Sequence, residues 1–139
     1  VTPFVMLTIP GRPQAKGRPR FSKAGHVYTP ERTRNAEEVC QGLMREVCTV
    51  PLEGPLKLSI WFCFRRPNSW NKAQRVAVDM GYEEPWYTGK PELDNLVKLV
   101  QDAGNGILWH DDAQVVELVA SKVYGAKSET VLHLSPAEV

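Results

Sequence analysis

Glu92 and Asp94 stand two residues apart where the chain leaves Pro91 for a helix, and Lys98 follows Asp94 by four positions. An extended backbone at such a helix start aims both carboxylates the same way. Asp94 and Lys98, one helical turn apart, fall on the side away from the stripe Leu93, Leu96, Val97 and Val100. Asp102 continues that polar face. A second acidic pair, Asp111 and Asp112, sits in the run Trp109-His-Asp-Asp-Ala-Gln114 just before a strand, where a rim residue can turn toward a neighbouring helix start. Gathering Glu92, Asp94 and Asp112 is costly without a cation: two like charges about 4 Å apart repel by roughly 4 kcal/mol at an effective dielectric near 20. One carboxylate then takes up a proton, or a cation sits between them. Ligands that are all oxygen, with no clustered cysteine or histidine, favour a hard ion, Mg²⁺ or Mn²⁺. Such an ion lowers the pKa of a bound water and stabilises the charge of a phosphodiester being cut. Lys98 would orient the attacking water or neutralise the phosphorus centre. A plainer reading stands beside this one, with the acids as helix-start and turn residues and Lys98 as an ordinary i,i+4 partner.

The distribution of charge points to an anionic partner. The net charge is only +1, but between Arg12 and Arg34 there are seven bases (Arg12, Lys16, Arg18, Arg20, Lys23, Arg32 and Arg34) against Glu31 alone. From Glu92 onward there are eight acids against Lys98, Lys122 and Lys127. A basic arm that neutralises phosphates therefore accompanies an acidic half that can hold catalytic carboxylates. Phosphate contacts of this kind give affinity and position, not sequence. Phe21, Trp70, Trp86 and Tyr87 are the aromatics available to stack on unpaired bases, or else to pack in loops.

These residues need a scaffold, and the periodicity supplies one. Phe4 to Ile9 reads as a strand closed by Pro10-Gly11, and Gly11 to Gly25 as an exposed arm. His26 to Thr29 forms a short extended piece. Thr29 as N-cap and Pro30 at the first helical position open a helix to about Cys48. Its apolar stripe is Ala36, Val39, Cys40, Leu43, Met44 and Val47. Leu56 to Phe64 alternates as a strand, and Trp61 on its second face predicts that this face is covered too, by a helix or another subunit. Arg65 to Lys90 is a long connection with a candidate short helix at Lys72–Val78. A second main helix runs from Leu93 to Ala103 and stops at Gly104-Asn-Gly106; strands follow at Gln114–Tyr124 and Thr130–Leu134. The expectation is one α/β domain over residues 1–139. It has a mixed sheet, two main helices and the order strand, helix, strand, helix, strand, strand. Lys122, an even ten residues after Asp112, shares its face if the strand is regular, and so reaches phosphate near the site.

The longest apolar run, Leu58 to Phe64, is too short to span a bilayer, and the start of the chain carries no secretion-signal pattern. Cys40, Cys48 and Cys63 lack zinc spacing and read as buried small hydrophobes in a reducing cytoplasm.

Lys90-Pro-Glu-Leu-Asp-Asn-Leu-Val-Lys98, then Asp102-Ala, then Gly106-Ile-Leu-Trp-His-Asp-Asp-Ala-Gln-Val-Val and Lys122, resembles the signature of the RusA family of Holliday junction resolvases. The similarity is dense over about a quarter of the chain, and the Lys16-Gly-Arg-Pro-Arg-Phe21 segment resembles phage-borne members more loosely. The resemblance implies a mixed α/β fold, a homodimer and Mg²⁺-dependent paired nicks in opposing strands of a four-way junction, in DNA recombination and repair. It puts the metal-site acids on Glu92, Asp94 and Asp112 and the essential lysine on Lys98, with Asp111 an adjacent acid of the motif. Glu92 departs from the aspartate more usual there, which moves the carboxylate by more than about 1 Å. A C₂ dimer matches the near two-fold symmetry of a junction. The arm residues Arg12, Lys16, Arg18, Arg20 and Lys23, with Lys122, would line the DNA. Cutting of flaps or other branched DNA, and metal-free DNA binding without chemistry, are the competing readings.

Overall fold

The computed structural model describes residues 5–139. A four-stranded mixed sheet forms its frame, in the order β1 (Val5–Pro10), β6 (Glu129–Pro136), β4 (Leu56–Arg65) and β5 (Val115–Gly125). β4 and β5 are parallel, and the other pairings are antiparallel. Alternation writes this sheet into the sequence. Val5, Leu7 and Ile9 of β1, the even residues Leu56 to Phe64 of β4, and Leu132 and Leu134 of β6 are all buried on one face.

Two helices cover that face. α1 (Glu31–Val47) contributes Cys40 and Met44, and α3 (Leu93–Gly104) contributes Leu96, Val97, Leu99, Val100 and Ala103. Burial of a side chain such as Leu96 stabilises the fold by about 1.5–3 kcal/mol, so α3 is pinned by a full stripe of such residues. The mixed α/β reading holds, with a third, short helix α2 (Lys72–Asp79) in the long connection. Asn71 caps α2 by accepting from the Gln74 N–H at 2.9 Å, and the Gln74 side chain returns the bond to the Asn71 N–H. Among the described residues, no helix is long and apolar enough to cross a membrane.

Several local expectations shift. Phe4 lies outside the described residues. α1 begins one residue later than the sequence suggests: Pro30 itself occupies the N-cap with extended geometry and makes no side-chain cap bond. Thr33, in the first turn, is buried and accepts the Gly17 N–H at 2.9 Å. The apolar stripe of α1 is narrower than its periodicity implies, because Val39 and Val47 remain 57% and 43% exposed. The extended piece before α1 is β3 (Val27–Tyr28), which pairs with β2 (Arg20–Phe21) in a small hairpin inside the basic arm. The covered second face of β4 is partly explained by Trp61 packing edge-on against His133 of β6, with ring centroids 4.9 Å apart.

Candidate active site and nucleic-acid interface

α3 carries the acidic motif at its N-terminus. Glu92 is the N-cap, with φ −67° and ψ 147°, and its carbonyl accepts the Leu96 N–H at 3.2 Å. Asp94 lies in the first helical turn, where a carboxylate is favoured by the helix dipole. Asn95 sits between them in space: its backbone N–H donates to Asp94 Oδ1 at 3.0 Å, and its amide reaches Glu92 Oε2 at 3.5 Å. The hydrogen bond from its own backbone N–H, and then nearby Lys90, hold the Glu92 carboxyl below the usual carboxylate range. Lys90 Nζ is 3.9 Å from Glu92 Oε1.

The two acids open onto different concavities. Asp94 and Lys98 border a shallow groove of about 580 Å³ between α3 and β5, walled by Leu118 and Ala120. Glu92 lines a larger cleft of about 680 Å³ together with Arg12, Arg18, Arg20, Arg32 and Lys90. Five cations therefore share one cleft with a single acid. Arg32, on the first turn of α1, and Lys90 belong to this cleft although neither is among the expected site residues. Arg32 has only its membership of the basic stretch as a signal and Lys90 only its place at the head of the motif; the fold alone puts them beside Arg18 and Arg20. Lys23 does not line the cleft.

Lys98 pairs with Asp102 at 3.2 Å, one turn further along α3, rather than with Asp94. Asp102 also receives Lys16, at 3.2 Å, and Lys16 bonds Glu37 of α1 as well. Burial opposes the charge on Lys16, but hydrogen bonds to Glu37 and Asp102 outweigh it and raise its pKa. The backbone N–H of Lys16 donates to Asn95 O at 2.9 Å. Lys16 thus rivets the arm to both helices. Gly17 follows at the only size that fits: a Cβ there would lie 2.6 Å from Thr33 Oγ1.

Asp111 and Asp112 are held by their neighbours in the motif. Trp109 is wholly buried and donates its indole N–H to Asn105 at 2.8 Å. It presses on Gly104, where a Cβ would meet its ring at 2.6 Å. The Gln114 amide oxygen accepts the His110 and Asp111 N–H groups at 2.8 and 3.2 Å, while its amide nitrogen donates to Leu52 and Gly54 carbonyls. Asp112 itself begins a 3-10 turn (Asp112–Gln114) that packs against α3. This turn breaks the alternation assumed between Asp112 and Lys122, since β5 begins only at Val115.

Lys122 points inward to the chain. Its ammonium donates to the carbonyls of Gly89 and Pro91 at 2.5 and 2.8 Å. Tyr87 is stacked on Phe64 with centroids 4.0 Å apart, and Trp70 packs on Tyr124. Phe21 and Trp86 are 73% and 52% exposed.

The carboxylates Glu92, Asp94 and Asp112 suit a hard cation in kind, being oxygen donors without sulfur or imidazole. In arrangement they are not closed: among the described residues no three Asp, Glu, His or Cys side chains converge as a ready ligand set. Burial pushes the Cys40 thiol up to about 11 and raises that of Cys63 as well, so both behave as packed apolar groups.

A mixed sheet covered by two helices, with an acidic helix start beside a cleft lined by five cations, defines an α/β protein with a strongly basic cleft. The particular family follows from the sequence as a whole: residues 10–135 match the family described as endodeoxyribonuclease RusA, and the chain belongs to that family. It is therefore a DNA-cutting enzyme by class. One relative, from Bacillus subtilis (strain 168), is named uncharacterized protein YqaN and is 31% identical over 126 residues, covering 86% of this chain and 87% of its own length. Another, from Lactococcus phage r1t, is named crossover junction endodeoxyribonuclease rusA and is 31% identical over 84 residues, covering 58% of this chain and 54% of its own length.

Proposed function

We propose that this RusA-family enzyme resolves four-way DNA junctions, as a homodimer and with Mg²⁺ (or Mn²⁺), by paired nicks in opposing strands during recombination or repair. The observation that carries the reading is the cationic cleft that has Glu92 in its lining. A backbone held by Arg12, Arg18, Arg20 and Arg32 would lie beside Glu92 at the start of α3, one residue before the turn that carries Asp94. The name of the phage relative supports a branched substrate. A cytoplasmic enzyme formed of one such domain would account for three free thiols, of which Cys40 and Cys48 are buried and Cys63 is half-buried.

The chain's own groups have separable tasks in this reading. The arginines bind and align the phosphodiester. Glu92, Asp94 and Asp112 are the groups that would hold the divalent ion, which when bound supplies a polarised water and neutralises charge on the phosphate. Lys98, steadied by Asp102, brings a mobile positive charge to the groove that Asp94 borders. Dimerisation supplies a second, symmetry-related copy of this site for the opposing strand. The sheet face that includes Met6, Trp61 and Val119 is the candidate contact, since Met6 and Val119 are 60% and 53% exposed beside the half-covered Trp61.

Cleavage of a labelled synthetic four-way junction, with linear-duplex and flap controls, in Mg²⁺ and in EDTA, tests the proposal. Paired nicks in opposing arms that need Mg²⁺, and that vanish in Asp94→Asn while junction binding persists, are expected. Faster cutting of flaps would redirect the substrate to other branched DNA. Tight, salt-sensitive binding without any metal-dependent product would make the chain a binding module.

A further inference from the structure

Lys122 and Tyr87 meet at the turn just before Glu92, and Arg12 of the cleft reaches the same turn, donating to the Tyr87 hydroxyl at 3.2 Å and to Lys90 O at 3.3 Å. Lys122 lies on β5, between Ser121 and Val123 and level with Phe62 of β4. Its Nζ spans the turn, bonding the carbonyl of Gly89 on one side and that of Pro91 on the other. Tyr87 donates its hydroxyl proton to the carbonyl between them, that of Lys90, at 2.9 Å. Three successive carbonyls, 89, 90 and 91, are therefore all taken by side chains from outside the turn. Tyr87 is itself fixed: it stacks on Phe64, its N–H donates to Lys122 O at 3.0 Å, and the Lys122 ammonium lies 5.4 Å from its ring centroid. Trp86 bridges to Val123 in antiparallel fashion, and the Tyr124 N–H donates to Pro85 O at 2.8 Å. Residues 85–87 thereby lie along the edge of β5, and the sheet holds the end of the long connection.

Resting on the reading of Glu92 as a site carboxylate, we propose that Lys122, seconded by Tyr87, is a positioning residue that clamps the 89–91 turn and so sets where Glu92 stands. It is not a phosphate contact. The physical logic is that an exposed N-cap glutamate has no packing of its own to fix it, so its precision is inherited from the backbone before it. Two bonds from the Lys122 ammonium and one from the Tyr87 phenol satisfy that backbone from the side of β5, which is paired along its length with β4. A displacement of about 1 Å at a reacting centre is enough to cost roughly 100-fold in rate. The charge of Lys122 is absorbed by main-chain carbonyls, which leaves it little to offer DNA.

Variants Lys122→Met, Lys122→Arg and Tyr87→Phe separate this role from the alternatives. Amide hydrogen exchange across residues 88–96 of the full-length protein reads the clamp directly, without DNA or metal. Lys122→Met is expected to speed that exchange by about tenfold or more, with Tyr87→Phe showing a smaller effect. In single-turnover junction cleavage, Lys122→Met should slow the step by about 10- to 100-fold and raise the Mg²⁺ needed for half-maximal rate. Lys122→Arg should recover most of both effects. Junction affinity and its salt slope should match wild type for both Lys122 variants; Tyr87→Phe also loses the bond from Arg12, so it is read by exchange alone. A salt slope lowered by about 0.9 in Lys122→Met would make Lys122 a phosphate contact and overturn the proposal. Unchanged exchange and an unchanged Mg²⁺ requirement in a folded Lys122→Met protein would equally overturn it. If wild type cuts no branched DNA, the nuclease reading fails, and faster exchange in the variant still upholds the clamp on the turn.

Discussion

The turn at 89–92 and the hairpin of β2 and β3 border the same cleft and are built on opposite terms. At the turn, every carbonyl from Gly89 to Pro91 is bonded by a side chain, and α3 behind it is sunk into the core by Leu96, Val97, Leu99 and Val100. In the hairpin, Arg20, Phe21, Val27 and Tyr28 are all exposed, and the tip is closed mainly by local bonds between Ser22, Gly25 and His26. Gly25 takes φ +82° there, which a residue with a side chain adopts at a cost. The contrast separates two demands. On the proposed function, chemistry needs a carboxylate held to a fraction of an ångström, which bonds from β5 and its neighbours would meet. Holding a flexible polyanion needs charge on a surface that can adjust, which the exposed Arg18 and Arg20 of the arm would supply.

If that division is right, substitutions in the two regions fail in different measurements. Lys98 gives the largest contrast. Lys98→Ala should lower the single-turnover rate at saturating junction by about 100- to 1,000-fold, while affinity changes by no more than about threefold. Lys98→Arg should fall between them, since the charge stays but its geometry changes. An unchanged rate in Lys98→Ala would remove this lysine from the chemistry and leave it as a structural partner of Asp102.

The arm should behave in the reverse manner. Arg18→Ala with Arg20→Ala should weaken junction binding by about tenfold at moderate salt and reduce the salt slope by about two, one unit for each lost phosphate contact. Once the junction is saturating, the cutting rate should hold. Equal slopes for variant and wild type would move the DNA path away from the cleft, and a lower saturated rate would mean that the arm also aligns the scissile phosphate.

The same division explains what the sequence reveals. α3 is legible because a helix writes its buried face at three- and four-residue spacing, and Leu96 to Val100 obey that spacing. The acidic motif is legible because Glu92, Asp94 and Lys98 belong to one local element. The cleft is not: Arg32 on α1 and Lys90 before α3 are 58 positions apart and meet Arg18 and Arg20 only through the tertiary fold. Lys122 misleads for a related reason. Parity along a strand predicts its face only while the strand is regular, and the 3-10 turn at Asp112 precedes β5. The separation of Glu92 and Asp94 into two clefts is likewise invisible in a spacing of two, because the helix starts between them and rotates one from the other.

Lys16 is the place where the two regions touch, and it gives the smallest effect and the sharpest boundary. The sequence puts it among the phosphate ligands of the arm, whereas its ammonium bonds Glu37 and Asp102 and its backbone bonds Asn95. Its pKa is raised in the folded chain, so its stabilisation is fully present below its ordinary value near 10.5 and is lost as pH climbs through the higher folded value. Lys16→Met should therefore cost about 1 kcal/mol near neutral pH, a modest figure because the group is partly exposed. That difference from wild type should shrink as the pH is taken above 10.5 in urea unfolding. A difference that does not change with pH would mean that Lys16 contributes by packing its stem rather than by its charge. If junction affinity falls and the salt slope flattens in Lys16→Met while its folding stability matches wild type, the rivet gives way to a phosphate contact. The arm would then extend as far as α3, and the boundary between the held region and the yielding one would have to be redrawn at Gly17.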